Sequence, residues 1–127
     1  MRVLKSMAVG ALLVALGIAP ALAADPTGTW QSTGGESRYA ISYCGSGKQL
    51  CAKLVWLRAD ARTAENLRYL NHYVVKGAKR DAANTWAGTL TYAGQSYAGK
   101  LTLVSTDAMR LKGCKGLFCT TMSFERI

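Results

Sequence analysis

Polar and apolar residues alternate with a period of two along most of the chain after residue 27. Turn-forming residues interrupt this alternation about every ten residues. The segment Trp86–Tyr92 shows the pattern most clearly, with Trp86, Leu90 and Tyr92 on one face and threonines on the other. A period of two is the repeat of a β-strand that buries one face, and no convincing helical period competes with it. The pattern therefore predicts an all-β protein.

Eight candidate strands follow one another with short connections, which favours a small up-and-down antiparallel β-barrel of about eight strands. Between Arg58 and His72 the alternation fails, and Leu67 and Leu70 are three residues apart, so a helical turn or a folded loop is expected there. A long connection at the mouth of a barrel often acts as a lid. The predicted strands are Gly28–Ser32, Arg38–Cys44, Cys51–Leu57, Tyr73–Lys79, Thr85–Tyr92, Tyr97–Val104, Met109–Cys114 and Cys119–Arg126.

The four cysteines form two pairs that are close in sequence, Cys44 with Cys51 and Cys114 with Cys119. Each pair brackets a short turn-like segment, so two hairpin disulfides are preferred among the three possible connectivities. A zinc site is the alternative, but neither pair has the C-x-x-C spacing typical of zinc ligands or of thioredoxin-like redox sites. Setting the cysteines of each pair opposite one another places both disulfides on the outer face of the sheet.

The same alternation predicts which side chains face the interior of the barrel. Tyr39 is expected opposite Trp56, and Tyr92 opposite Tyr97 with Leu90 facing Gly99. An eight-stranded interior is either filled by side chains or holds one small ligand, and inward tyrosine hydroxyls, which need polar partners, favour a ligand. The candidate ligand-binding residues are Tyr39, Ile41, Tyr43, Leu54, Trp56, Trp86, Leu90, Tyr92, Tyr97, Leu101, Met122 and Phe124.

The first 23 residues have the pattern of a secretory signal peptide. Arg2 and Lys5 precede the apolar run Met7–Ile18, which is too short to span a bilayer, and a small-residue cleavage site follows. Cleavage there leaves residues 24–127 as a single β-barrel domain without a transmembrane segment. The protein is therefore expected in the periplasm, where its cysteines can pair.

The chain is strongly basic, with a formal net charge of +9. Arg2 and Lys5 lie in the leader, so 14 basic residues against seven acidic ones give the remaining chain a charge of +7. This charge favours an anionic envelope surface, such as lipid headgroups or lipopolysaccharide, although solubility alone would also explain it. The basic residues are spread out and the protein is expected to be exported, so nucleic acid is not expected as a partner.

No catalytic residues, metal ligands or cofactor are predicted. His72 is the single histidine, and neither a nucleophile motif nor a reactive cysteine accompanies it. Asp60 and Glu65 are close in sequence within the irregular segment, but arginines lie nearby, which is typical of surface ion pairs. A hydrolase using His72 with Asp60 or Glu65 is therefore the least favoured hypothesis.

Gly28-Thr29-Trp30 in the first strand and Arg126 in the last resemble a lipocalin-type pairing. In that family a G-x-W tryptophan closes one end of an eight-stranded barrel, and an arginine of the final strand packs across its ring. The guanidinium gains a cation–π contact while its stem covers apolar surface. The resemblance implies that Trp30 and Arg126 are a barrel-closing pair.

A second resemblance extends over nearly the whole chain from residue 24 onwards. The residues that carry it are Gly28, Trp30, Cys44, Cys51, Leu54-Val55-Trp56-Leu57, Trp86, Gly88, Tyr92, Tyr97, Gly113 and Phe124-Glu125-Arg126. In these residues the chain resembles the bacterial exported family numbered 2147 among the domains of unknown function. The family usually has tryptophan in place of Phe124, and its Asp-x-x-Asn-Pro segment is present only loosely, as Asp60 and Glu65-Asn66-Leu67. This family has no assigned reaction, so the resemblance implies the fold and the compartment.

The sequence favours a non-enzymatic binder of a small ligand that is apolar or amphipathic. An anionic headgroup on this ligand is one option. The first alternative is a structural or interaction protein of the envelope with a plugged barrel, working through its basic outer face around Lys100, Arg110 and Lys112. An inhibitor of lysozyme is less favoured because lysozymes are usually basic and would repel this chain.

Overall fold

The computed structural model describes residues 25–127, so the predicted signal peptide lies outside the described residues. Each strand pairs antiparallel with the next along the chain, and the last pairs with the first, which closes the barrel. The predicted all-β, up-and-down barrel of eight strands is confirmed. The strands are β1 (Gly28–Ser32), β2 (Ser37–Cys44), β3 (Gln49–Leu57), β4 (Tyr73–Ala82), β5 (Thr85–Tyr92), β6 (Gln95–Ser105), β7 (Ala108–Lys115) and β8 (Phe118–Arg126).

Trp30 and Arg126 lie against one another at one end of the barrel, which we call the closed end. The Trp30 indole is fully buried, and the Arg126 guanidinium carbon lies 4.4 Å from the centre of its ring. The indole N–H donates to the Pro26 carbonyl at 2.9 Å. The Arg126 guanidinium donates to the backbone carbonyls of Asp25, Thr27 and Thr106 at 2.7, 2.6 and 3.0 Å. These bonds tie the segment before β1, the end of β8 and the β6–β7 turn together.

The half of the barrel next to this end is filled by side chains. Leu50, Ala78 and Trp86 are at most 3% exposed there, and Leu103 is 4% exposed. Gly88 makes this packing possible because a Cβ at that position would lie 2.9 Å from the Ala78 Cα, closer than real contacts allow. The sheet therefore approaches itself closely at this level, and the interior is solid.

The β5–β6 register differs from the prediction by two residues. Tyr92 pairs with Gln95, Leu90 with Tyr97, and Gly88 with Gly99. The cause is the turn, which contains only Ala93 and Gly94, with φ of 53° and 71°. Two central residues with positive φ are typical of a type I′ hairpin turn, whose twist matches that of the strands. A shift of two residues leaves every side chain on its predicted face.

The β2–β3 register also differs, and here one face prediction is wrong. Cys51 pairs with Ser42 and Tyr39 pairs with Leu54, while Arg38 pairs with Trp56 after a bulge. The bulge inserts one extra residue and reverses the side-chain alternation beyond it. Trp56 therefore points outward, with the Arg38 guanidinium carbon 4.2 Å from its ring centre.

Both predicted disulfides form. Cys114 pairs directly with Cys119, as expected, with Leu111 facing Met122. Cys44 and Cys51 are linked diagonally, because Cys44 pairs with Gln49.

The segment between β3 and β4 folds into short helical turns, as expected. It contains a 3₁₀ helix, Ala59–Ala61, and the helix α1, Ala64–Leu67, whose N-terminus is capped by the Thr63 side chain. Within residues 25–127, no helix is long and apolar enough to cross a membrane.

Candidate ligand-binding cavity

A cavity of about 750 Å³ occupies the other half of the barrel and opens at the end opposite Arg126. We call this opening the mouth. It is formed by the β1–β2 turn, the segment 58–72, the β5–β6 turn and the β7–β8 turn. The solid end and the hollow end thus follow from where the large side chains lie along the strands.

Eight of the twelve predicted site residues line this cavity. Six of these come from strands whose register differs from expectation, but the period of two kept them inward. They are Tyr39, Ile41, Leu90, Tyr92, Tyr97, Leu101, Met122 and Phe124.

The other four predicted residues do not line the cavity. Trp56 lies on the outer face, for the reason given above. Leu54 and Trp86 are buried in the packed core, at 1% and 3% exposed. Tyr43 lies at the closed end, 41% exposed, with the Lys48 amine 5.8 Å from its ring centre. These positions lie on the predicted strands, but sequence alternation gives no information on depth along the barrel axis.

The cavity wall is mainly apolar. Tyr39 and Phe124 meet edge to face, with ring centres 5.4 Å apart. Phe124 stands where the family resemblance implies tryptophan, and it fills this contact with a smaller ring. Further apolar lining residues that were not proposed from the sequence as ligand-binding residues are Trp30, Ala52, Leu57, Ala61, Val74, Val75, Met109, Leu111, Gly113 and Phe118.

A small polar group lies where β1 and β2 meet at the mouth. Ser32 and Ser37 are 6% and 7% exposed and line the cavity together with Glu36. The Ser32 hydroxyl accepts the backbone N–H groups of Glu36 and Ser37, both at 3.1 Å. The two serine hydroxyls lie 3.3 Å apart. The hydroxyls therefore stabilise the tight turn and also present polar atoms to the cavity.

The segment 58–72 lies across one side of the mouth. The Tyr92 hydroxyl donates to the side-chain carbonyl of Asn66, which itself lines the cavity. The Tyr69 and Tyr92 rings stack with centres 5.0 Å apart, and the Tyr69 hydroxyl accepts the Gly94 backbone N–H at 2.6 Å. The Asn66 amide also donates to the Ala61 carbonyl at 2.9 Å. These contacts attach the segment to the β5–β6 hairpin.

Two tyrosines of the cavity have a hydroxyl pKa above the ordinary value. Burial raises the pKa of Tyr39 above its ordinary value, and the Ser37 hydroxyl partly offsets this. Burial likewise raises the pKa of Tyr92, with nearby Tyr39 and Glu65 acting in the same direction. Both phenols are therefore neutral at physiological pH and can donate hydrogen bonds.

Lys115 lies on the rim, lines the cavity, and donates to the Gln95 side chain. Besides the apolar lining residues named above, the sequence reasoning missed the polar ones, which are Ser32, Glu36, Ser37, Asn66, Lys115 and Thr120. Ser32 lies two residues after Trp30 on β1, so both side chains are on the same face of the strand. This spacing could have predicted that Ser32 faces the interior of the barrel. Asn66 carries no such signal because it belongs to a segment without strand periodicity.

None of the acid–base candidates, His72, Asp60 and Glu65, lines the cavity. His72 is exposed, and Asp60 forms an ion pair with Arg58 at 2.6 Å on the surface. The Arg58 side chain holds the pKa of Asp60 below its usual range. Among residues 25–127, no group of three or more His, Cys, Asp or Glu side chains is placed to hold a metal ion.

One protein-family model, described as "Uncharacterized protein conserved in bacteria (DUF2147)", matches residues 28–126. The chain belongs to the DUF2147 family. The match begins with β1 and ends with β8, so the whole barrel is the DUF2147 domain. No curated protein matches the chain. A solved structure described as a redesigned β-barrel is similar at 17% identity, covering 80% of this chain and 90% of that one, with a TM-score of 0.48.

Proposed function

We propose that this DUF2147 protein is a non-enzymatic binder of one small apolar or amphipathic ligand. The observation that carries the proposal is the cavity of about 750 Å³, which opens at one end of an otherwise packed barrel. Ligand pockets typically have volumes of roughly 300–1,000 Å³, with apolar walls and a few polar groups that set orientation. The apolar chain would enter between Tyr39, Phe124 and Leu101.

The polar atoms at the mouth suggest where a headgroup would lie. The Ser32 and Ser37 hydroxyls, the Asn66–Tyr92 pair and the Lys115 amine all lie among the residues that line the cavity. Lys115 would attract an anionic head such as a carboxylate or phosphate, because the lysine ammonium is a compact charge with three donors. Amphipathic ligands with an acidic head therefore fit this arrangement best.

The periplasm is the proposed location. The DUF2147 family is bacterial, and two disulfides are typical of proteins that fold outside the reducing cytoplasm. The leader-like pattern of residues 1–23 supports the same location.

A fluorescent fatty-acid analogue, dansylaminoundecanoic acid, tests the binding proposal. The wild-type protein is expected to bind one probe saturably with a blue-shifted emission. Gly113→Leu should weaken binding at least about tenfold, because a Cβ there sits in ordinary contact with the Leu90 side chain and the rest of the leucine would fill the cavity. Thr121→Leu adds the same side chain on the exposed outer face of β8 and should leave binding unchanged.

Urea unfolding of each variant controls for folding, and Met122→Trp fills the cavity from a second position if Gly113→Leu is unstable. Absence of saturable binding by the wild type would contradict the proposal. Equal binding by wild type and both folded filling variants would also contradict it.

The second candidate, an envelope-interaction protein that uses its outer wall, is favoured by one observation. Lys100 pairs directly with Lys112 across β6 and β7, and Lys79 lies in the same row on β4, next to Ala87. Like charges directly opposite one another destabilise a sheet, so this row is costly unless it binds an anion. An ion pair of Lys100 with Asp81 at 3.4 Å relieves part of that repulsion.

A further inference from the structure

The turn between β7 and β8 carries the two most exposed large apolar side chains of the described residues. Leu117 is 98% exposed and Phe118 is 86% exposed. Gly116, with φ of 63°, occupies the first central position of this two-residue turn, and Leu117 occupies the second. Hairpin turns favour Gly, Asn, Asp and Ser, so a leucine at the tip has no explanation in turn chemistry.

The β7–β8 tip projects beyond the barrel wall. β1 pairs with β8 only from Phe124 to Arg126, so the first half of β8 has no β1 residue beside it. The Cys114–Cys119 disulfide clamps the pair of strands next to the turn. The apolar side chains are therefore held away from the core on a short, covalently braced hairpin.

Exposed apolar side chains concentrate at the mouth. Of the eight large ones that are exposed among residues 25–127, five lie at this end of the barrel. Phe118 and Met122 also line the cavity, so the exposed surface is continuous with the cavity wall. The five are Leu67, Tyr73, Leu117, Phe118 and Met122.

The charge around the tip indicates what would cover it. From Arg110 to Ser123 the hairpin carries three basic residues, Arg110, Lys112 and Lys115, and no acidic one. An apolar tip flanked by basic side chains is complementary to a bilayer with anionic headgroups, because the tip enters the acyl boundary while the ammonium groups remain at the phosphates.

We propose that the β7–β8 tip docks the mouth of the barrel on an anionic phospholipid bilayer, with Leu117 and Phe118 inserted and Lys115 at the headgroups. This docking is a property of the tip and goes beyond the proposed ligand binding. It would also place the cavity entrance at the lipid surface.

Co-sedimentation of the oxidised protein with vesicles of phosphatidylglycerol and phosphatidylcholine tests the proposal. Replacing both tip residues, Leu117→Gln with Phe118→Gln, should weaken binding to the anionic vesicles at least about tenfold. Val104→Gln changes a residue that is 51% exposed near the closed end and should have no effect. Lys115→Gln should weaken binding about fivefold, and Lys100→Gln, the same charge change on the outer wall, should weaken it less.

Phe118→Trp allows insertion to be followed directly by tryptophan fluorescence. The emission added by Phe118→Trp should shift to the blue on vesicle binding, and the emission added by Val104→Trp should not. Three outcomes would overturn the proposal: wild type that does not bind the anionic vesicles, tip and Val104 variants that bind equally, or Lys100→Gln and Lys115→Gln with equal effects. A wild-type dimer that the tip variants convert to a monomer would show that a second copy covers the tip instead. Gly113→Leu should keep vesicle binding, which separates this result from ligand binding.

Discussion

At the scale of single residues, the closed end depends on Arg126. Its guanidinium makes three hydrogen bonds to backbone carbonyls and packs over Trp30, while its side chain remains 25% exposed. The lipocalin-type resemblance implied this pair, and the β1–β8 register sets the two residues directly opposite one another. Trp56 was predicted less well, since a single bulge residue in β3 reversed its direction and no local sequence signal marks that bulge.

Arg126→Met should lower the free energy of unfolding by about 2–4 kcal/mol, because it removes charge-assisted hydrogen bonds and a cation–π contact while retaining much of the apolar stem. Urea unfolding measures the loss. Arg110→Met, at an exposed arginine on the neighbouring strand, should change stability by less than about 0.5 kcal/mol. Similar losses in the two variants would mean that Arg126 acts only through the net charge.

At the scale of elements, the hairpins follow from alternation, and their registers follow from their turns. The β7–β8 register was predicted correctly because the paired cysteines face one another across a two-residue turn. The β2–β3 hairpin has a four-residue turn at 45–48, with positive φ at Gly45, Gly47 and Lys48. That turn moves the pairing by two residues and leaves Cys44 diagonal to Cys51.

The two disulfides should contribute unequally. A loop of either length is worth about 2 kcal/mol by the chain-entropy estimate. Cys51 is only 8% exposed and its sulfur accepts the Gly77 backbone N–H at 3.3 Å, so replacing Cys44 and Cys51 together by serine should cost more than this. Replacing Cys114 and Cys119 by serine, at the exposed end of a hairpin, should cost about 2 kcal/mol or less. Urea unfolding of the two double variants shows which one loses more stability. A larger loss for the Cys114 and Cys119 variant would contradict the prediction.

At the scale of the whole molecule, barrel closure creates a solid half and a hollow half from one continuous sheet. The solid half holds the Trp30–Arg126 pair and the large buried side chains. The hollow half is lined by residues from all eight strands and from the segment 58–72. Because the interior is shared in this way, the ionisation of a tyrosine within it should affect the stability of the entire barrel.

Alkaline pH should therefore destabilise the protein through Tyr39, whose pKa is raised by burial. Below the ordinary tyrosine pKa of about 10 the phenol is neutral in both the folded and the unfolded state. Its contribution to the free energy of unfolding is then fully present. Above that pH the unfolded chain ionises first, so the free energy of unfolding falls by up to about 1.4 kcal/mol per pH unit until the folded pKa is reached. Tyr39→Phe should flatten the dependence of the urea midpoint on pH in this range, and parallel curves for both proteins would contradict the assignment.

The sequence by itself determined the all-β class, the number and order of the strands and the two disulfide pairings. These features depend on local alternation, turn residues and short-range spacing, which a linear pattern records. The linear pattern did not give the registers of two hairpins, which their turns set, or the outward direction of Trp56, which a bulge in β3 sets. Tertiary structure alone decided the position of the cavity. It also brought Ser32, Asn66 and Lys115 together at the mouth. Those outcomes depend on how far each side chain lies along the barrel axis, and that distance is set only when the sheet closes on itself.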